Sequence, residues 1–232
     1  MQAMARRRTS FSVGEYYHLY NRGVDKRDIV LDQADSIRFL QSMKLFNSVQ
    51  PIGSIYEHGY VKLGSEASKL KPLVSFAAYC LNPNHFHFLV TPRVDQGIER
   101  FMQRFGTGYT KYFNNKRSRT GALFGGVFKS EYISNDDYLR QVSAYINYND
   151  FIHGLPKTKQ SLVRTSLKLY QGSSASTTPP PINFEHEIIL GEFKDGEEYC
   201  KYAKEIAENI REYRSEEDTE AFLGSEASKL GD

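Results

Sequence analysis

His85 and His87 stand two apart in the apolar run Leu81-Asn82-Pro83-Asn84-His85-Phe86-His87-Phe88-Leu89-Val90. Alternate side chains of an extended chain share a face, so the imidazoles point one way while Phe86 and Phe88 point the other. That spacing suits a two-toothed metal clamp, and it equally suits a strand with two histidines on its polar face. A second pair, Tyr145 and Asn149, lies four apart in a helical stretch and stacks on one helix face. If that face looks at the histidines, two imidazoles, an amide oxygen and a phenol converge. Such a set suits phosphodiester transfer: an ion held by nitrogen and oxygen polarises a phosphoryl oxygen, and the phenol attacks in line to give a phosphotyrosine. Mixed ligation fits Mg²⁺ or Mn²⁺ without excluding Zn²⁺. A phenol titrating near about 10 needs metal, base or substrate organisation to react at neutral pH. With 16 tyrosines in the chain, Tyr145 gains meaning only from the elements that place it.

Those elements follow from pattern. Residues 15–24, containing Tyr16-Tyr17-His18-Leu19-Tyr20, read as an aromatic strand closed by Asn21-Arg22-Gly23, with His18, Tyr20 and Arg22 on one face. Residues 31–48 read as a helix with Asp32 as cap. After a polar connection over 51–71, residues 73–80 and 85–91 form a hairpin about Asn82-Pro83-Asn84. Ile98, Phe101, Met102, Phe105, Tyr109, Tyr112 and Phe113 recur at helical spacing over 97–115, more a core stripe than a ligand site. Residues 127–133 alternate as a fourth strand, and Asp136-Asp137 caps a third helix bearing Tyr138, Leu139, Val142, Tyr145, Ile146 and Asn149. The order predicts an α+β fold: a ferredoxin-like βαββαβ sandwich with a four-stranded antiparallel sheet. The histidine strand is central in it, and the added catalytic helix can lie across the sheet's other face.

At 232 residues the chain suits one main domain with appendages. The division expected is a basic arm over 1–14, the functional domain over 15–172, a Ser/Pro linker over 173–182, and an acidic helical appendage over 183–232 with a helix near 197–214. Cys80 and Cys200 lie far apart in no ligand-like spacing, which points to a reducing compartment. No apolar run is long enough for a bilayer and no signal segment follows the basic start, so a cytoplasmic protein without membrane contact is expected. The net charge of +2 argues little, but its distribution, a basic body and an acidic tail, is compatible with nucleic-acid binding. The candidate DNA contacts are Arg6, Arg7, Arg8, Arg22, Arg104, Lys111, Lys116, Arg117, Arg119 and Lys129; a solvated basic face is the commoner meaning of such charges.

His85-Phe86-His87 resembles the His-hydrophobic-His motif of the HUH enzymes, and Tyr145-Ile146-Asn147-Tyr148-Asn149 resembles the Tyr-Ile-x-x-Asn segment of single-tyrosine HUH transposases. Tyr17-His18-Leu19-Tyr20-Asn21-Arg22-Gly23, the segment from Tyr79 through His87, and Phe113-Asn114 extend the resemblance over about residues 15–172 to the REP-associated tyrosine transposases, an IS200-like group. Two departures stand out: Asp150 follows Asn149 where the family usually has proline, and Phe124-Gly125-Gly126-Val127 replaces a frequent Trp-Gln and Arg. The resemblance implies that His85, His87 and Asn149 ligate a divalent metal, Mg²⁺ or Mn²⁺. Tyr145 is then the nucleophile that forms a 5′-phosphotyrosine on single-stranded DNA beside a hairpin or palindromic repeat, without a nucleotide cofactor. A homodimer is compatible with it. The residues leave alternatives: Asn149 as a helix cap, Tyr148 or Tyr138 as nucleophile, and a domesticated protein that binds the hairpin without cutting.

Leu63-Gly-Ser-Glu-Ala-Ser-Lys-Leu70 recurs letter for letter as Leu223-Gly-Ser-Glu-Ala-Ser-Lys-Leu230. The copies have no similarity around them and do not stack a core, so both are expected outside it. As a hypothesis, they are translated from short mobile palindromes inserted in frame; divergent codons lacking inverted symmetry would end that reading.

Overall fold

The computed structural model describes residues 10–50, 71–172 and 183–213. The basic residues Arg6, Arg7 and Arg8, both octapeptide copies and the Ser/Pro tract at 173–182 lie outside the described residues. In chain order the elements are β1 (Tyr16–Arg22), α1 (Gln33–Phe46), β2 (Val74–Leu81), β3 (His85–Pro92), α2 (Gly97–Lys116), β4 (Lys129–Ile133), α3 (Asp136–Asn147), α4 (Asn149–Ile152), α5 (Lys157–Gln160), β5 (Arg164–Thr165), α6 (Leu167–Tyr170), α7 (Glu187–Leu190) and α8 (Gly196–Glu212). The strand-helix-strand-strand-helix-strand-helix succession is the expected one, in a mixed α+β architecture.

The sheet runs β4-β1-β3-β2-β5 with neighbouring strands antiparallel, so the histidine strand is central. It has five strands where four were expected. The extra one, β5, is two residues long, too short to show any periodicity, and pairs Thr165 and Arg164 with Cys80 and Leu81. It covers the end of the β2 edge, and Asn183 and Glu185 bond to the Phe76 backbone farther along it.

Both faces of the sheet are covered, which explains why all eight residues of β2 are buried and why its sequence does not alternate apolar with polar. Phe76, Tyr79 and Leu81 join the core beneath α1 and α2; Ala77, Ala78 and Cys80 join the other, beneath α3 and α8. A register shift between Phe76 and Ala78 is the bulge that changes the facing of the strand there. On the first side Phe101, Phe105, Tyr109 and Phe113 of α2 recur every four residues and are buried. Phe105 meets Phe39 of α1 edge to face at 4.9 Å. A Cβ at Gly108 would lie 2.2 Å from the Phe46 ring, so glycine permits the close approach of α2 to α1.

Helix ends follow side-chain capping. Asp32 Oδ1 accepts from the Asp35 N–H at 3.0 Å, as its position predicts. For α3 the cap is Asn135, accepting from the Tyr138 N–H at 2.8 Å, so Asp136 and Asp137 fall in the first turn, facing the positive end of the helix dipole.

The last helix, α8, packs against α3. Tyr199, Ala203, Ala207 and Ile210 form its buried stripe, and small alanines let the two helices approach. The Tyr199 hydroxyl accepts from Asn147 Nδ2 at 2.7 Å; Asn147 Oδ1 accepts from the Ser166 hydroxyl at 2.6 Å; Ser166 Oγ accepts from the Tyr79 N–H at 3.0 Å. This polar chain ties α8, α3 and β2 together behind the tyrosine-bearing helix.

Candidate active site

Strand register sets the first side chains. Arg22 pairs with His85 and Tyr20 with His87 across β1 and β3. Directly opposed residues share a face, so His18, Tyr20 and Arg22 lie on the same face as the two histidines. Helix α3 crosses that face. Its Tyr145 ring meets His87 edge-on at 5.4 Å and His18 at 6.1 Å. Helix α3 ends at Asn147, and Asn149 opens α4, with its side chain turned to β3 rather than onto a helix end. Asn149 Oδ1 lies 2.9 Å from His85 Nε2. The four residues singled out by type and spacing therefore meet within one chain.

Each histidine has polar neighbours at its ring nitrogens. Asn84 Oδ1, which can only accept, sits 2.6 Å from His85 Nδ1. With its proton on Nδ1, donated to Asn84, His85 would present a lone pair on Nε2, the form a metal ligand needs. Asn82 Nδ2 is 3.0 Å from that Nε2 and 2.6 Å from Asn149 Oδ1. His87 Nδ1 lies 2.8 Å from His18 Nε2. Burial drives the His18 pKa down to about 3, so His18 is neutral. For His87 to offer a lone pair on Nε2, its Nδ1 must donate to His18, which puts the His18 proton on Nδ1. That atom is buried without a hydrogen-bond partner among the described residues.

Among the described residues no three His, Cys, Asp or Glu side chains gather as a metal-holding set. Two imidazoles would have to be completed by amide oxygens, and the 2.9 Å between His85 Nε2 and Asn149 Oδ1 fits that role. Neighbouring ligands on an octahedral ion with bonds of about 2.1 Å lie roughly 3 Å apart. His85 and His87 ring centroids are 5.2 Å apart and nearly perpendicular.

The alternative tyrosines have other partners. Tyr138 donates to Glu131 and Tyr148 to the Cys200 carbonyl. Tyr145 is 4% exposed, which leaves its ring enclosed by the site.

The expected DNA contacts separate into groups. Lys116 and Arg117 are bound to Asp32 and Asp35 at 2.6–2.8 Å. The Lys116 hydrogen bond chiefly holds the Asp32 carboxyl below the usual range. Burial pushes Asp35 up, but bonds from Lys116, the Leu31 N–H and Arg117 outweigh it. Arg104 donates to the Ser48 carbonyl at 2.5 Å, and Arg119 to Asn114 and the Ala122 carbonyl. These four therefore brace the fold. Exposed Arg22 and Lys129 flank the histidine face, Lys129 above the Tyr20 ring at 5.5 Å. Lys111 and Arg119 line a separate cleft of about 760 Å³ between α2 and residues 119–128. Asn21 and Phe86, which also line it, are opposed in register on the sheet face away from the histidines, so this cleft is distinct from the histidine site.

Several site residues carried no clear sequence signal. Asn82 and Asn84 read only as turn formers. His153, exposed at the end of α4 with its ring 4.8 Å from His85, follows Asn149 by four and shares its helix face. That spacing is the one signal that could have found it.

No curated protein sequence matches the chain. A solved structure described as a REP-associated tyrosine transposase bound to a REP hairpin is 16% identical, with a TM-score of 0.46, covering 80% of this chain and 93% of that one. No helix among the described residues is long and apolar enough to cross a membrane. Residues 65–149, which hold His85, His87, Tyr145 and Asn149, match the family model for IS200-like transposases, and in this site-bearing segment the chain is similar to that family.

Proposed function

We propose that the protein is a metal-dependent DNA strand transferase of the single-tyrosine kind, nicking and rejoining single-stranded DNA beside a hairpin. The observation that carries this reading is the convergence of His85 Nε2, Asn149 Oδ1, His87 and the Tyr145 ring in one place. His85, His87 and Asn149 would hold a divalent ion, Mg²⁺ or Mn²⁺, which when bound supplies Lewis-acid polarisation of a phosphoryl oxygen. Tyr145 Oη attacks the phosphorus, the P–O3′ bond breaks, the phenol gives up its proton and the departing O3′ gains one. The product is a 5′-phosphotyrosine that a 3′-hydroxyl can reverse, so rejoining needs no nucleotide. Asn84 and His18 hold the imidazoles, while Arg22 and Lys129 flank the face where a phosphate backbone would run. The set is complete within one chain, which supports action in cis without requiring a homodimer; the dimer remains part of the proposal only as an assembly state.

The burial of Tyr145 favours one other reading, a protein that binds a repeat hairpin without cutting it. Incubating the protein with Mn²⁺ or Mg²⁺ and labelled hairpin single strands separates the two. A covalent protein–DNA adduct that disappears in Tyr145→Phe is expected; tight binding with no adduct would leave the binding protein standing.

A further inference from the structure

Asn82 occupies an unusual position for a turn residue. It is wholly buried, and its backbone N–H donates to the His85 carbonyl at 2.9 Å, which fixes it beside the histidine. Its Nδ2 stands 2.6 Å from Asn149 Oδ1 and 3.0 Å from His85 Nε2, and those two atoms are 2.9 Å apart. Three polar atoms thus lie at the mutual spacing of neighbouring ligands around one octahedral cation. Asn82 Oδ1, at the other end of the same amide, is buried with no hydrogen-bond partner among the described residues, and so is Asn149 Nδ2. In this arrangement the two amide protons of Asn82 serve the lone pairs of His85 and Asn149, in the manner of a cation.

We infer that Asn82 is a further ligand of the metal site, its amide turning over on ion binding so that Oδ1 joins His85 Nε2 and Asn149 Oδ1. The inference rests on the metal-dependent reading above. An N–H aimed at a cation repels it, so the amide cannot keep its present orientation beside a bound ion. A half-turn about Cβ–Cγ exchanges oxygen and nitrogen with almost no movement of heavy atoms. It also exchanges one partnerless end for the other, so that penalty is nearly unchanged, while the oxygen gains a charged partner. The resulting protein set, two imidazoles and two amides, is neutral and leaves the positive charge of the ion for the substrate phosphate.

Mn²⁺ titration of the full chain, followed by the electron paramagnetic resonance of the free ion, tests this. Asn82→Leu should weaken binding roughly 10–100-fold. Asn82→Asp, which keeps oxygen donors and removes the N–H, should bind Mn²⁺ at least as tightly as the wild type. Melting curves in EDTA show which variants are folded, and Asn82→Asp remains informative if Asn82→Leu is not. Wild-type affinity in folded Asn82→Leu, or loss of binding in folded Asn82→Asp, would overturn the role of Asn82. If neither variant folds, the amide is needed as an N–H donor, and the inference also fails. A wild type that binds no Mn²⁺, or binding indifferent to His85→Ala, would instead overturn the metal site itself.

Discussion

Beneath α1 and α2, Phe39, Phe86, Phe88 and Phe105 interlock at ring-centroid separations of 4.6–6.1 Å. On the other side of the sheet, His18 of β1, His87 of β3 and Asn82 of the turn after β2 are all buried. Three polar atoms there, His18 Nδ1, Asn82 Oδ1 and Asn149 Nδ2, lack hydrogen-bond partners among the described residues. Burying such atoms costs about 1–3 kcal/mol each. The contrast teaches that one face supplies stability while the other spends part of it on holding lone pairs and a phenol in place, a division common at functional sites.

Substitutions that affect the two faces oppositely would sharpen that contrast. Phe105→Ala should destabilise by about 3–5 kcal/mol, read from denaturant unfolding, because it empties the middle of the aromatic cluster. A loss under about 1 kcal/mol would break the comparison. Tyr199→Phe should destabilise by about 1–3 kcal/mol, since Asn147 Nδ2 loses the hydroxyl it donates to. If adduct formation falls further than folding does, α8 also positions Tyr145.

Acid provides a third probe. Asp32 and Asp35 have lowered values in the folded protein, so the unfolded chain binds more protons as pH falls. Their contribution is fully present above about pH 4, the ordinary aspartate range, and is lost as pH drops through the lowered folded values. Lys116→Met should flatten this acid limb in unfolding curves measured against pH; an unchanged limb would mean the network adds nothing. The smallest stability effect is expected at the polar face. Asn149→Leu should leave the melting temperature unchanged or slightly raised while Mn²⁺ binding falls about tenfold or more. A large loss of stability would show that Asn149 holds the fold.

How much of this was legible follows from the kind of signal each region carries. Alternation in β1 and β3 and the four-residue recurrence of Phe101, Phe105, Tyr109 and Phe113 are local patterns, and they located the central elements to within a few residues. The α8 stripe reads weakly because two of its four buried positions are alanine, yet those alanines are what permit close packing on α3. β5 has no pattern because it has two residues. At the site, His85, His87, Tyr145 and Asn149 were visible through spacing and through motif resemblance. Asn82 was masked by its turn chemistry, which the structure also uses. The ion pairs of Lys116 and Arg117 were not legible because their partners, Asp32 and Asp35, lie more than 80 residues earlier in the chain.

The most direct measurement is the covalent one: denaturing electrophoresis of the protein after incubation with Mn²⁺ and hairpin-bearing single strands labelled on the 3′ side of the cut. The account predicts a labelled protein band with wild type, lost in Tyr145→Phe and sharply reduced in His85→Ala and His87→Ala. No band with folded, Mn²⁺-binding wild type, or an undiminished band with Tyr145→Phe, would contradict it.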